Sequence, residues 1–575
     1  MLSQIDQKKI RLKLKSIYGS HLSEIEVSDC CKEITKIINK FNKKKNKKQK
    51  IISEKTSIVI CYGDSVFSSS QKHLIKNFQN FFQKKLSKYF NTVHFLPFYP
   101  SSSDSGFAVK DHYKIDSRLG NWSDISRFSK KNDVMADVVI NHSSARGLWF
   151  KNFLKKKKPG KDYFLTVNSN FNVSKVIRPR DHQLLKKIDI FKKPEYLWRT
   201  FSPDQLDMNF KNPAVLLRFI KIMLNLINHG VTIFRLDAIA YLWKESGTKC
   251  INLRETHEII KLLRVVCSLL NVQIIIVTET NLPEKENISY FGNADEANWI
   301  YNFSLPPLLI YSFLFENSSY LHSWNKNLPQ TKKGNSYLNF IASHDGIGMR
   351  PVEGIINEDN KNKFLKRLKK NGSKFSYRKV QGKSKKVYEA NITVFDALKK
   401  SDNDPIGKFF LERFISAHAI MISFEGVPAI YFNSLFGTSN DEAKYIISGN
   451  KRDINRYRWG HQNIINKLKD KKSKQSIFYK SITNLLEIRR KQKAFHPNGL
   501  RSYIRFGPKI FGFKRQSLDK RQIIVCMTNL SSKSQFPKIN KNYIHWKNLI
   551  NSNKKIKKTK YLELKPFETM WLSNI

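Results

Sequence analysis

The sequence predicts a (β/α)8 barrel, the TIM-barrel architecture, with an inserted subdomain after its third strand and an antiparallel β domain at its C-terminal end. Three observations predict it. Eight short apolar, β-branched runs alternate with helical stretches, the repeating unit of a parallel α/β fold. Polar or charged residues follow five of those runs, and barrels gather their functional loops at the C-terminal ends of strands. After about residue 495 the pattern changes to closely spaced short strands with turns between them. A doubly wound open sheet is the alternative, but it does not explain polar motifs after so many strands.

In chain order, residues 1–55 read as a basic helical extension that ends in the charge run Lys43 to Lys50, a solvated linker in pattern. The barrel takes 56–142 and 206–490. Its strands are expected at Ser57 to Tyr62, Thr92 to Leu96, Ala136 to Ile140, Thr232 to Leu236, Gln273 to Val277, Asn298 to Tyr301, Asn339 to Ala342 and Pro428 to Phe432. The fourth is the clearest. An apolar-periodic helix from Leu216 closes at Gly230, and the run that follows breaks at Arg235-Leu236-Asp237. About ninety residues separate the third and fourth strands, too many for one crossover helix, so 143–205 is expected as an inserted subdomain. Residues 495–575 form the β domain, from runs at Ser502 to Phe506, Lys509 to Phe513, Gln522 to Cys526 and Glu568 to Leu572.

Composition excludes several classes. With 40% apolar and 12% aromatic residues the chain has ample material for packed cores. Against 47 acidic residues stand 103 Lys and Arg, a formal charge of +56. A nucleic-acid partner would use such charge, but Lys, Asn and Ile rise together, the lysines are spread along the whole chain, and no zinc-finger, RRM or KH pattern occurs. Drift toward lysine explains that distribution better, while the positive field still attracts anionic substrates. The six cysteines form no CxxC pair, which fits reduced thiols in the cytoplasm. The N-terminus carries no apolar signal region, and no apolar run approaches a membrane span. His257-Glu-Ile-Ile260 lacks the second histidine of a zinc-protease helix, and neither a dinucleotide fingerprint nor a P-loop is present.

The chemistry lies after the strands. Asp104 follows the second, Asn141-His142 the third, Arg235 and Asp237 close the fourth, Glu279 the fifth, and His344-Asp345 the seventh. Singly, such pairs are structural more often than catalytic. Jointly they put Asp237, Glu279 and Asp345 into one cup. Retaining glycoside chemistry needs two carboxylates about 5–5.5 Å apart, one to attack the anomeric carbon and one to serve as acid and then base. A cation beside the attacking carboxylate, here Arg235 beside Asp237, keeps it ionised.

Asp137 to His142, Phe234 to Ala238, Glu279 and Ser343 to Asp345 resemble the four signature regions of the α-amylase superfamily, glycoside hydrolase family 13. Within it the chain is similar to the sucrose phosphorylase-type branch, through Ser103 to Phe107, Asp111-His112, Asp116 to Trp122, Leu242 to Thr248, His344 to Gly348 and Arg452 to Arg456. The resemblance covers roughly residues 57 to 575. It implies Asp237 as nucleophile, Glu279 as general acid/base and Asp345 as transition-state stabiliser, with Asp104, His142, Arg235, His344 and Arg456 around the donor glucosyl ring. It implies inorganic phosphate as the group that takes the glucosyl unit, and neither metal nor organic cofactor. Asn141 matches a calcium-ligand position of amylases, but a calcium site needs several oxygen ligands that the sequence does not assemble.

Thr278 to Gly292 and Ser343 to Gly354 look more like glucosylglycerate phosphorylases than true sucrose phosphorylases. Glycerate carries a carboxylate that Arg350 can pair with. The equal alternative is that Arg350 is a solvated or phosphate-facing loop residue. Arg146-Gly147 stands where a serine-like residue is expected, and Asn121 and Ser123 replace common acids, which blurs acceptor choice but leaves the core chemistry alone. The expected function is a glucosyl phosphorylase acting on glucosylglycerate, with sucrose or sucrose 6-phosphate next. A hydrolase of small α-glucosides is the alternative within the family and a nucleic-acid binder the alternative outside it.

Overall fold

A computed structural model describes residues 1–42, 52–68, 73–189, 194–380, 385–543, 545–551 and 561–575. The lysine run expected as a linker lies outside the described residues.

Eight parallel strands close into a barrel: β1 (Ile58–Cys61), β2 (Thr92–Phe95), β3 (Asp133–Val139), β4 (Val231–Asp237), β5 (Ile275–Thr278), β6 (Trp299–Tyr301), β7 (Ser336–Asn339) and β8 (Val427–Tyr431). Each pairs with its neighbours in chain order, and β8 returns to β1. Seven overlap the expected runs closely. The seventh was expected at Asn339 to Ala342 but ends at Asn339. The strand proper begins earlier, at Ser336, and its last residue is satisfied inside the barrel: Asn339 Nδ2 donates to the Glu425 carbonyl at 2.8 Å, and its Oδ1 accepts from Asn302 at 3.0 Å.

The helix before β4, Pro213–Asn228, shows how local sequence sets the site. Asn212 caps it by accepting from the Ala214 N–H, and Pro213 occupies the first turn. The chain reverses at Gly230, whose φ is +91° and where a Cβ would sit 1.9 Å from Ser129 Oγ. Only glycine allows β4 to begin there, and the start of β4 fixes where Arg235 and Asp237 emerge.

Between β3 and β4, His142–Ser144 pairs with Gln205–Asp207, and Thr166–Val167, Glu195–Trp198 and Leu185–Ile188 form a three-stranded sheet. A second small sheet, Ile347–Gly348, Lys385–Asn391 and Lys374–Lys379, stands after β7 and was not anticipated. At the C-terminal end lies a five-stranded antiparallel sheet, from Leu500–Arg505 to Thr569–Ser573. It is tied to the barrel by Arg501, which meets Glu425 at 3.0 Å and the Asn325 carbonyl at 2.6 Å.

Helices α1 (Gln4–Tyr18) and α2 (Glu24–Asn42) pack against the barrel's outer helices. Ile10, Leu14, Ile17 and Tyr18 form the buried stripe of α1, at helical spacing. All six cysteines are free and buried. Among the described residues no helix is long and apolar enough to cross a membrane.

Candidate active site

The C-terminal ends of the strands open into a cleft of about 1180 Å³, counting space open to solvent. Asp104, His142, Asp237, Glu279, His344 and Asp345 all line it. Asp237 is the last residue of β4. The next residue, Ala238, takes a left-handed φ of 53°, which turns its N–H onto Glu279 Oε2 at 3.0 Å. Arg235 lies beneath both carboxylates. Its NH1 is 2.7 Å from Asp237 Oδ1 and its NH2 is 3.8 Å from Glu279 Oε1. The same NH1 also donates to Asp137 Oδ1 on β3, the register partner of Arg235.

Asp345 is held from the other side. Arg452 NH1 approaches it at 2.8 Å and His344 Nε2 at 3.3 Å. Arg452 also reaches Asp104 at 3.6 Å and pairs with Glu389 at 2.6 Å. Arg456 donates to Asp104 at 3.2 Å and to the His344 carbonyl at 3.1 Å. Asp104 and Ser105 have φ near +50°, and Gly106 has φ +111°, with Pro97 O only 2.5 Å from a built Cβ. This strained turn aims Asp104 into the cleft. Phe107 follows it and stacks on His344, ring centroids 4.9 Å apart at 7°.

The carboxylates are not equivalent. Burial pushes Asp237 and Glu279 above the ordinary carboxylate range; Arg235 opposes this for both, while Glu279 and Asp137 add to it for Asp237 and Asp345 adds to it for Glu279. Burial works the same way on Asp345, but Arg452, His344 and Arg235 outweigh it and hold that group below the range. Burial also depresses His344 to about 3 and His142 to about 4, so both imidazoles are neutral near pH 7.

Of the nine residues singled out in the sequence, six line the cleft. Arg235 and Arg456 stand behind it and hold carboxylates that do line it. Arg350 differs from both readings given for it. It is buried in the turn Arg350–Val352, with Nε 3.9 Å from Glu353 Oε2, and is neither solvated nor part of the cleft lining. Two cleft arginines were missed. Arg452 opens the motif that ends in Arg456, and that spacing was the available signal. Arg180 comes from the inserted segment. Its guanidinium lies over Tyr388 at 5.0 Å and Phe201 at 5.8 Å, and it forms no ion pair among the described residues.

A family model for the α-amylase catalytic domain matches residues 84–369. A glucosylglycerate phosphorylase from Spirochaeta thermophila is 38% identical over 476 residues, 83% of this chain and 80% of that protein. One from Escherichia coli is 34% identical over 569 residues, 98% of this chain and 100% of that protein. The chain belongs to the α-amylase superfamily, glycoside hydrolase family 13. Sucrose phosphorylase from Streptococcus mutans is a more distant member, 27% identical over 77% of this chain and 89% of its own. In fold the chain is similar to the crystal structure of sucrose 6F-phosphate phosphorylase from Thermoanaerobacter thermosaccharolyticum, with a TM-score of 0.71 at 22% identity, covering 84% of this chain and 95% of that one.

In this α-amylase barrel the Asn141 position is served by an internal cation. Lys244 Nζ, buried, lies 3.1 Å from Asn141 Oδ1 and 2.6 Å from Asp207 Oδ2. Asn141 donates to the same Asp207 oxygen at 3.1 Å, and Asp207 further accepts from Thr200. The ammonium thus ties the loop after β4 to the base of the inserted segment.

Proposed function

We propose that this chain is a retaining glucoside phosphorylase, with glucosylglycerate as the favoured donor. The observation that carries the proposal is that one guanidinium, Arg235, serves both Asp237 and Glu279 from beneath the cleft floor. In the first step Asp237 attacks the anomeric carbon while Glu279 passes its proton to the departing glycosidic oxygen, giving a β-linked glucosyl-enzyme and free glycerate. In the second step Glu279 takes a proton from phosphate as a phosphate oxygen attacks the same carbon. Asp237 leaves, and the product is α-glucose 1-phosphate. Two inversions restore the original configuration.

The charge pattern supports these roles. Burial raises both carboxyl groups, and the hydrogen bond from Arg235 favours the charged form of Asp237; we assign the proton to Glu279. Asp345, kept ionised by Arg452, faces the positive charge that develops on the ring in the oxocarbenium-like transition state. Asp104, His142 and His344 frame the donor ring, and Arg456 holds Asp104 from behind. Phosphate and the acceptor carboxylate are both anions, and Arg180 is the cleft cation with no carboxylate of its own. We assign it to hold them in turn. The relatives at 34% and 38% identity bear the name glucosylglycerate phosphorylase, which favours glycerate over fructose. Six buried free thiols support a cytoplasmic setting.

The test is reverse synthesis. The enzyme is given α-glucose 1-phosphate with glycerate, fructose, fructose 6-phosphate or glycerol, and phosphate release is followed. Glycerate is expected to give the highest rate. Release of glucose from glucosides at the same rate with and without phosphate would instead identify a hydrolase.

A further inference from the structure

Beneath the carboxylates the barrel holds a buried polar pair that the cycle above does not use. His94 stands on β2, wholly buried, with Nε2 2.8 Å from Asp137 Oδ2. Its Nδ1 has no hydrogen-bond partner among the described residues. Asp137 is equally buried. Its Oδ1 accepts from Arg235 NH1, and its backbone carbonyl accepts from the Tyr99 hydroxyl at 2.9 Å. That same NH1 donates to Asp237 Oδ1 at 2.7 Å. Three residues on adjacent strands therefore run in a line from His94 to Arg235, and Arg235 passes the line on to Asp237.

One engaged nitrogen and one bare nitrogen fix the tautomer: the proton is on Nε2 and is donated to Asp137. Burial keeps the ring neutral; Asp137 pulls the other way, and Arg235 adds to the effect of burial. Asp137 and Asp237 share one terminal nitrogen of Arg235, whose two hydrogens serve one carboxylate each, so both draw on the same guanidinium charge. Without a donor at Oδ2, a buried Asp137 carboxylate has only Arg235 to turn toward. A donor there draws part of its charge away and leaves more of the guanidinium to Asp237.

We propose that His94 is a positioning residue for glucosyl transfer: by donating to Asp137 it prevents that carboxylate from capturing Arg235, and so sets the aim and charge of Asp237. The proposal rests on the reading of Asp237 as nucleophile. Asp237 faces Arg235 on its own strand, Asp137 from β3 and Glu279 from β5, and His94 acts on it only through the first two. Residues that orient metal ligands change activity by about 10- to 100-fold when removed, and the same scale is expected for one that orients a nucleophile's ion pair.

The test uses the full-length enzyme and α-glucosyl fluoride, whose leaving group departs without a proton and whose use requires no knowledge of the natural acceptor. In phosphate buffer, H94F is expected to release fluoride about 10- to 100-fold more slowly at saturation with little change in KM. The acidic limb of its rate profile should lie at higher pH, because Asp237 loses part of Arg235. His94→Gln, whose amide reaches where Nε2 did, is expected to recover most of the rate. If H94F does not fold, His94→Asn, too short to reach Asp137, takes its place with the same expectation. A folded variant with the wild-type rate overturns the proposal, as does a slow variant whose acidic limb has not moved and which His94→Gln does not rescue. Failure of the wild-type enzyme to release fluoride would instead remove the functional reading beneath it.

Discussion

Arg235 is the residue on which the charge balance of the site turns, since Asp137, Asp237 and Glu279 all draw on it. Glu279 shows the cost of that arrangement. A carboxyl group whose folded pKa is raised contributes stability below its unfolded pKa, and that contribution is lost as pH rises through the folded value. Above its unfolded pKa Glu279 is therefore a liability, and the proposed acid role gives a reason to retain it. Glu279→Gln is expected to raise the melting temperature by about 1–3 °C at pH 7 and by much less at pH 4, while turnover of the glucoside collapses; calorimetry at the two pH values checks it. Arg180 tests the anion assignment. Arg180→Ala is expected to raise KM for phosphate about tenfold or more, and Arg180→Lys to recover only part of that, because a point charge does not reproduce the planar fork. Fluoride release from α-glucosyl fluoride should change far less in both variants. That Asp237, Glu279 and Asp345 meet in one cleft was legible because each closes or follows a strand with an apolar, β-branched signature. Arg180 was not, because nothing in its local sequence says that the inserted segment folds back over the cleft.

At the scale of elements, the N-terminal helical pair braces the barrel near the site. The Tyr18 hydroxyl donates to the buried Phe210 carbonyl at 3.0 Å, and its ring lies 6.1 Å from Trp243, the neighbour of Lys244. Tyr18→Phe leaves that carbonyl without its donor and is expected to cost about 1–2 kcal/mol, read as a shift in urea midpoint at unchanged slope. Lys244 carries more. Lys244→Met strands Asp207 as a buried charge and is expected to cost about 3–5 kcal/mol, with early loss of activity on heating as the loop after β4 detaches. The N-terminal helical stretch, the helix before β4 and seven of the barrel strands follow from periodicity and turn signals. The seventh strand and the small sheet after it do not. The expected run left out Ser336 to Leu338, and the strand ends at Asn339, whose amide Glu425 and Asn302 satisfy.

At the scale of the whole molecule, a net charge of +56 creates a field that extends beyond any single site. Such a field raises the local concentration of small anions and is screened within about 10 Å at 0.1 M salt. The kcat/KM for phosphate is therefore expected to fall several-fold between about 0.02 and 0.2 M ionic strength, while that for a neutral glucoside such as sucrose stays nearly constant. Equal sensitivity in both would assign the charge no part in substrate capture.

The sequence by itself determined the barrel, the order of its strands and the identity of the residues at their ends, because hydrophobic periodicity and glycine-marked turns are local properties. Only the tertiary structure decided which charges meet. It placed one guanidinium among three carboxylates and an ammonium on Asn141 and Asp207, and it drew Arg350 behind the cleft wall while bringing Arg180 forward into the lining. Electrostatic interactions depend on distance and burial between residues far apart in the chain, and neither quantity is written in the order of the residues.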